Sequence, residues 1–350
     1  MMRLRSSQTL VFSQSEGALV ACNFLTKSVF QCSQDLLSLL AKLKDWKDVD
    51  EISELVPEFE IEELKSTLIN LQNVSAIVAE GSVAAQRETE FEKCWAWGIP
   101  TALMHYAVQD NDYIPLDTAQ TMQLEKLETH GRVDLFLQNH DFENVMVLPK
   151  SNNSTALLKL MAKRRTVRQA KPEPVGLQQL SDCLFAGLGI TGETQNCAGK
   201  LPLSMTPSGG ARNPYEAYVF ANNVKGLRPG IYHYSATEHS LGLVKATNDM
   251  KISSLIGGQE WGDDKACLIV LCAHLDRTMW KYVDANAYRV VLIEAGHIGQ
   301  NIMLAATDNG LTACPTAAIS HSVVKSQLGL SSLTQAPIYA LTLSVPDLPH

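Results

Sequence analysis

Lys281 and Tyr282 are adjacent in Asp276-Arg277-Thr278-Met279-Trp280-Lys281-Tyr282, where an apolar, strand-like run gives way to a helix. An amine beside a phenol can work as an acid/base pair, because desolvation lowers a lysine pKa toward neutrality and makes it a general base. The same dipeptide also fits a surface lysine beside a packing tyrosine, since lysines are mostly exposed. Upstream, Lys163-Arg164-Arg165-Thr166-Val167-Arg168 sets three guanidiniums and a hydroxyl within five residues. Arginine forks match phosphate oxygens in a bidentate way, whereas a solvated basic helix end would satisfy the helix dipole equally well. Between them lies Pro207-Ser208-Gly209-Gly210-Ala211-Arg212-Asn213-Pro214-Tyr215-Glu216. Its glycines would let backbone N–H groups approach a planar or anionic ligand; a simple turn is the other reading.

The elements that must position these segments follow from periodicity. TALLKLMAKRR predicts a basic-ended helix, and GLQQLSDCLFAGLGI an amphipathic helix running into glycines. EAYVFAN and CLIVLCAHL predict buried strands, GIYHYS and SLGLVK a hairpin, and APIYALTLSV a last strand. AYRVVLIEAGHIGQNIMLAATDN predicts one long apolar helix closed by Gly310. Residues 9–31 read as three short strands. Ser33 then caps a helix with Leu36, Leu37, Leu40 and Leu43 on one face. Helices over DVDEISELV and IEELKSTLINLQ follow, and SAIVAE returns as a strand, which completes a small winged-helix-like α+β unit over residues 1–82. Residues 83–152 mix aromatic and polar patches and read as an extension or connecting region. SNNST near 151 marks the boundary of a third region, 153–350.

At 350 residues, length allows two or three domains, and 45% hydrophobic against 19% charged residues suits packed cores. Residues 1–150 hold 12 Lys+Arg against 23 Asp+Glu; residues 151–350 hold 17 against 14. An acidic first half argues against a nucleic-acid surface, and clustered arginines in a near-neutral second half suit a small anion. No run of about 18 apolar residues predicts a membrane span, and the start shows no signal-peptide pattern. Eight scattered cysteines without a CxxC pair predict reduced thiols in a cytoplasmic protein and no zinc site. His233, His274 and His297 read as satisfied interior or edge groups and not metal ligands.

The ordered motifs RRTVR, PSGG with NPYEAY, GIYHY, RTMWKY and YRVVLIEAGHIGQN resemble the SagB-type (McbC-like, azoline oxidase) FMN-dependent dehydrogenases of the nitroreductase superfamily, over residues of about 155–345. Residues 9–80 are similar to the PqqD-like peptide-binding unit of peptide-modifying enzymes, and WAWGIP with ALMHY recurs in the extensions of this family. The resemblance implies an α+β fold: a nitroreductase-like, FMN-binding three-layer sandwich with a winged-helix-like (PqqD-like) N-terminal unit. It implies a homodimer with FMN at the subunit interface. By motif, Arg164, Arg165, Thr166 and Arg168 would meet the FMN phosphate and ribityl chain. Pro207, Ser208 and Gly209 would line the flavin, with Arg212 nearby. Gln300 would sit close to the dimer interface, Thr316 and Ala317 would run along the flavin ring, and Lys281 and Tyr282 would be the catalytic pair. Two departures stand out. Ala317 and Ala318 replace the usual glycines, and VPDLPH offers no C-terminal base for the phosphate.

The implied reaction is oxidation of a thiazoline or oxazoline, peptidic or carrier-bound, to the azole, with a cyclodehydratase or synthetase as partner. Lys281, or Tyr282 activated by it, would take the proton, with hydride passing to the flavin and dioxygen reoxidising it. The alternatives are dehydrogenation of an amino-acid or peptide Cα–Cβ bond, an NAD(P)H-dependent nitro or quinone reductase, and a non-catalytic peptide-binding scaffold.

Overall fold

In a computed structural model, the described residues are 2–132, 135–136, 145–151, 155–197, 199–248 and 250–347. The boundary expected at SNNST falls largely on 152–154, and the end of VPDLPH on 348–350, both outside the described residues.

Consecutive apolar residues in CLIVLCAH demand burial on both sides of a strand, because side chains alternate between faces. The structure meets that demand. β13 (Cys267–His274) is central in a six-stranded antiparallel sheet ordered β12 (Ser240–Ala246), β11 (Gly230–Ser235), β9 (Tyr215–Ala221), β13, β15 (Gln335–Ser344), β14 (Thr312–Thr316). Cys267, Ile269, Leu271 and Ala273 face a core shared with α8 (Leu177–Leu188) and α10 (Asn286–Asp308). Leu268, Val270 and Cys272 face the opposite core, with Ile252, Leu255 and Ile256 and with Val324 and Leu328 of α11 (His321–Leu328). Helices cover both faces of the sheet, the three-layer α+β arrangement expected.

α10 is long and apolar enough by length and composition to cross a membrane, a candidate the residue-run criterion did not raise. Here it is a core helix: Val291, Ala295, Ile298 and Ile302 are buried against the sheet and α8. Close approach requires two glycines. A Cβ on Gly187 of α8 would stand 2.8 Å from Ile302 Cγ1, and one on Gly299 would collide with the Tyr339 ring of β15.

The N-terminal elements match the periodicity. β2 (Leu10–Ser15), β3 (Ala18–Asn23) and β4 (Ser28–Gln31) form an antiparallel sheet, and α1 (Gln34–Lys42), α2 (Val49–Leu55) and α3 (Ile61–Asn73) follow. Ser33 caps α1 by accepting the Leu36 N–H, and Leu64, Leu68 and Leu71 of α3 are buried. Of the leucines expected inward on α1, Leu40 and Leu43 are buried while Leu37 is exposed. β5 (Ile77–Ala79) pairs with β1 (Leu4–Ser6), a strand too short to show a period. The unit has its own core.

The region 83–152, expected as an extension or connecting region, forms α4 (Val83–Cys94), α5 (Gly98–Ala107) and α6 (Leu116–His130). Trp95, Trp97, Ala102 and Tyr106 belong to the same core as α8, α10 and the main sheet. Residues 95–106 are therefore built into the second half of the chain, and more than a connector.

Candidate active site

The loop 207–213 joins β8 (Gly199–Ser204) to β9. Ser208 holds it: its carbonyl accepts the Ala211 N–H at 3.0 Å and its Oγ accepts the Asn213 N–H at 2.8 Å. Gly210 adopts φ +64°, a left-handed conformation that glycine tolerates best. A Cβ on Gly210 would lie 2.5 Å from both Lys281 Nζ and Tyr282 Oη. The structure thus brings together two segments 70 residues apart, the glycine loop and the Lys-Tyr pair, with both functional atoms resting on a bare glycine. Lys281 Nζ lies 5.1 Å from the Tyr282 ring centroid, and Arg212 lies over Trp280, 5.2 Å from its ring.

Lys281 and Tyr282 are exposed, and Trp280 is 70% exposed. The burial that a lysine base calls for is therefore not supplied by this chain alone, in contrast with the desolvated lysine expected from sequence. The pair follows α9 (Leu275–Met279), a turn too short to bury it.

What holds the pair is buried. Trp97 Nε1 donates to the Tyr282 carbonyl at 2.7 Å. The Trp97 ring meets that of Tyr288 edge-on at 5.7 Å, and Tyr288 Oη lies 3.1 Å from His105 Nδ1. On the loop side, Gly209 N donates to Glu294 Oε2 at 3.3 Å. Burial raises the Glu294 carboxyl, with hydrogen bonds from Ser208 and Gly209 pulling the other way.

Arg277 binds the Asn213 carbonyl at 3.0 Å and Glu216 Oε1 at 2.5 Å, while Glu216 Oε2 lies 2.8 Å from His233 Nε2. Burial pushes Glu216 up, but the hydrogen bonds from His233 and Arg277 outweigh it and hold the carboxyl below its ordinary value. These groups line a cavity of about 480 Å³ with Arg212, Asn213, Tyr215 and Glu294. The sequence by itself assigns Glu216, Arg277 and Glu294 no role, and His233 reads as a satisfied interior or edge group. Only the pairing of β9 with β11, which sets His233 opposite Tyr218, aligns His233 with Glu216 on one sheet face. The signal in sequence was that Glu216 and Arg277 lie inside the two motifs already singled out.

The remaining expected cofactor residues form a second group. Val167 lies beside β14: Thr312 Oγ1 donates to its carbonyl at 3.2 Å and Cys314 Sγ to the same oxygen at 3.0 Å. Arg168 lies over the Trp261 ring at 5.6 Å, and Arg164 NH1 donates to Thr166 Oγ1 at 3.4 Å. Thr316 Oγ1 accepts from Gln259 Nε2 at 2.9 Å, Ala317 is exposed, and Gln300 is half-buried on α10. In register, Thr316 aligns through Ala340 and Val270 with Tyr218, and Ala313 through Leu343 and Cys267 with Ala221. Three strand spacings and three to six residues therefore separate β14 from Tyr215, about 17–25 Å. Pro207, Ser208, Gly209 and Arg212 stay with the Lys-Tyr pair, whereas Thr316 and Ala317 lie at β14, with Val167 of segment 164–168 beside that strand.

Whether these groups suit FMN can be judged from their chemistry. Among the described residues, no ion pair engages Arg164, Arg165 or Arg168; Arg165 NH1 donates to the Ala162 and Arg164 carbonyls, and its other donors, with those of Arg164 and Arg168, are left for a phosphate. A Cβ on Gly209 would stand 2.8 Å from Val290 Cγ1, so the loop packs its bare backbone on α10. The donor set fits the phosphate of the cofactor.

The family model "Nitroreductase family" matches residues 161–344, more than half of the chain. The chain belongs to the nitroreductase family. Three relatives are similar to part of the chain. One is the nitroreductase-family protein MJ1384 of Methanocaldococcus jannaschii, 32% identical, covering 43% of this chain and 73% of that protein. The trifolitoxin-processing protein TfxB of Rhizobium leguminosarum bv. trifolii is 32% identical, covering 39% and 38%. The microcin B17-processing protein McbC of Escherichia coli is 30% identical, covering 38% and 50%. The match thus spans half or less of the two toxin-processing proteins. Among solved structures, a chain of the Escherichia coli microcin synthetase McbBCD complex, with truncated pro-MccB17 bound, aligns at TM-score 0.51 and 20% identity, covering 76% of this chain and 93% of that one, and so shares the fold. Two of the three relatives are thus named as toxin-processing proteins, and the family to which this chain belongs is one of oxidoreductase fold.

Proposed function

We propose that this protein is an FMN-dependent dehydrogenase that oxidises a thiazoline or oxazoline, peptidic or carrier-bound, to the azole during natural-product maturation. The observation that carries this reading is the seating of Lys281 Nζ and Tyr282 Oη together on Gly210 of the glycine loop. An amine and a phenol beside the loop expected to line the flavin support this reading, as does the similarity to a trifolitoxin-processing and a microcin B17-processing protein.

Arg164, Arg165, Thr166 and Arg168 would hold the FMN phosphate and ribityl chain, and Pro207, Ser208, Gly209, Arg212, Gln300, Thr316 and Ala317 would border the ring. When bound, FMN supplies a two-electron acceptor. Lys281, or Tyr282 beside it, takes the substrate proton as general base. Arg277 and Glu294 hold the loop from below, so the Lys-Tyr atoms keep one position relative to it. The separation of the two residue groups within a protomer supports a homodimer, in which one copy's loop 207–213 meets its partner's segment 164–168. The partner would also cover Lys281 and give it the dry surroundings a base needs. The N-terminal unit would grip a peptide or carrier, with a cyclodehydratase or synthetase as partner. Buried free thiols suit a reducing cytoplasm.

The deciding experiment compares wild type with Lys281→Ala. The variant should keep the flavin spectrum and dimeric mass and lose azoline oxidation. Full oxidation by that variant would refute the base assignment. A colourless wild type that takes up no added FMN would refute the whole reading, and fast NADH consumption with menadione would favour a reductase.

A further inference from the structure

A second cavity, of about 320 Å³, lies between α4–α5 of the extension and α11, away from the loop 207–213. It is lined by Arg87, Glu90, His105, Tyr106, His321 and Lys325, among others. Arg87 is exposed and makes no ion pair among the described residues. Lys325 Nζ donates one proton, to the Ser332 carbonyl at 2.7 Å, and an ammonium carries three. Glu90 is committed in part, its Oε1 accepting the Leu333 N–H at 2.9 Å.

Tyr106 adds an independent observation. It is 5% exposed, lines the cavity, and its Oη is buried with no hydrogen-bond partner. Arg87 and Glu90 line the same cavity as Tyr106. A buried hydroxyl without a partner is costly and marks a place where a ligand or water completes the set. Burial, with His321 and Lys325 nearby adding to it, pushes His105 down to about 3, and burial likewise lowers His321 and Lys325. Both histidines are therefore neutral near pH 7, and His321 spends its one N–H on the Ile319 carbonyl at 3.1 Å. The charge balance of the lining is then one carboxylate against two cations, which leaves one negative charge wanted. The volume is at the lower end of small-molecule sites.

We propose that this cavity binds a small oxyanion, a carboxylate or a phosphate carried by a compact molecule, held by Arg87, Lys325 and the Tyr106 hydroxyl. The site is separate from the proposed FMN contacts, and the proposal does not rest on the dehydrogenase reading. Its nearest link to the Lys-Tyr pair runs through His105, Tyr288 and Trp97.

The test is an NMR titration of the full chain with inorganic phosphate and, separately, with succinate, following histidine Cε1–Hε1 signals. Both sources share the chemistry, and their relative affinities assign which is preferred. The signals of His105 and His321 should shift saturably while that of the exposed His297 stays in place. Arg87→Gln, a surface change, should weaken binding about tenfold or more, as expected for loss of a charged hydrogen bond. Arg164→Gln with Arg168→Gln should leave it unchanged. Absence of shifts at His105 and His321 up to tens of millimolar of either anion overturns the proposal. So does binding that Arg87→Gln leaves intact, or binding lost only in the Arg164/Arg168 variant.

Discussion

The indole N–H of Trp97 donates to the carbonyl of Tyr282, 185 residues away, at 2.7 Å. A side chain of the aromatic extension thus fixes the backbone that carries the Lys-Tyr pair. Trp97 is 3% exposed and its ring is wedged against Trp95 and Tyr288, so the bond is held by packing. Trp97→Phe keeps most of the packing and removes the donor. It should cost about 1 kcal/mol in stability and lower kcat more than KM, since the pair loses its fixed position and the rest of the site stays. Denaturant midpoints and steady-state kinetics read the two effects separately; an unchanged kcat would show that the bond is structural only.

Gly210→Ala should be more damaging than its size suggests. The residue would be left-handed, about 1–2 kcal/mol worse than glycine, and its methyl would displace Lys281 and Tyr282. Activity should fall with little change in bound flavin. A Gly210→Ala enzyme with wild-type turnover would remove the contact from the argument.

Cofactor retention should depend on the guanidiniums beside β14. Arg164→Gln and Arg168→Gln each remove a charge-assisted phosphate contact, and each should weaken FMN binding about tenfold. Fluorescence titration of released flavin measures this, and light scattering of the same samples shows whether dimerisation survives. Tight FMN binding in the double variant would move the phosphate elsewhere.

His105 sets a pH dependence whose sign can be worked out. Burial pushes it down to about 3 from an ordinary 6.5. The unfolded chain therefore binds more protons between those values, so stability is full above pH 6.5 and falls as pH drops toward 3. His321 is also lowered by burial and acts in the same sense. Urea midpoints should fall between about pH 7 and about pH 5, and His105→Gln should flatten that slope. A slope unaltered by the substitution would place the acid sensitivity elsewhere.

The N-terminal unit is clipped to the extension by a buried pair: Arg5 NH2 lies 2.8 Å from Glu88 Oε2, with both side chains under 10% exposed. Ser7 donates to the same carboxylate. Glu88→Ala strands the guanidinium and should cost about 3–5 kcal/mol, whereas replacing both partners with apolar residues should cost far less. Calorimetry of the single and double variants distinguishes a clip of this kind from a dispensable contact.

Much of this molecule was legible in one dimension because the relevant forces are local. The run CLIVLCAHL required a doubly covered strand, Ser33 announced a helix start, and Leu64, Leu68 and Leu71 specified the inward face of α3. Five motifs in order carried the family. Tertiary structure alone decided the rest. Nothing in the spacing of Trp97 and Tyr282 or of Glu216 and His233 signals contact, because such pairs depend on how elements pack and on which residues align across a sheet. Gly210 reads as a turn residue until Lys281 and Tyr282 are seen resting on it. The division of the expected cofactor residues between a loop at the start of β9 and an edge strand about 17–25 Å away follows from strand order, which chain order does not encode.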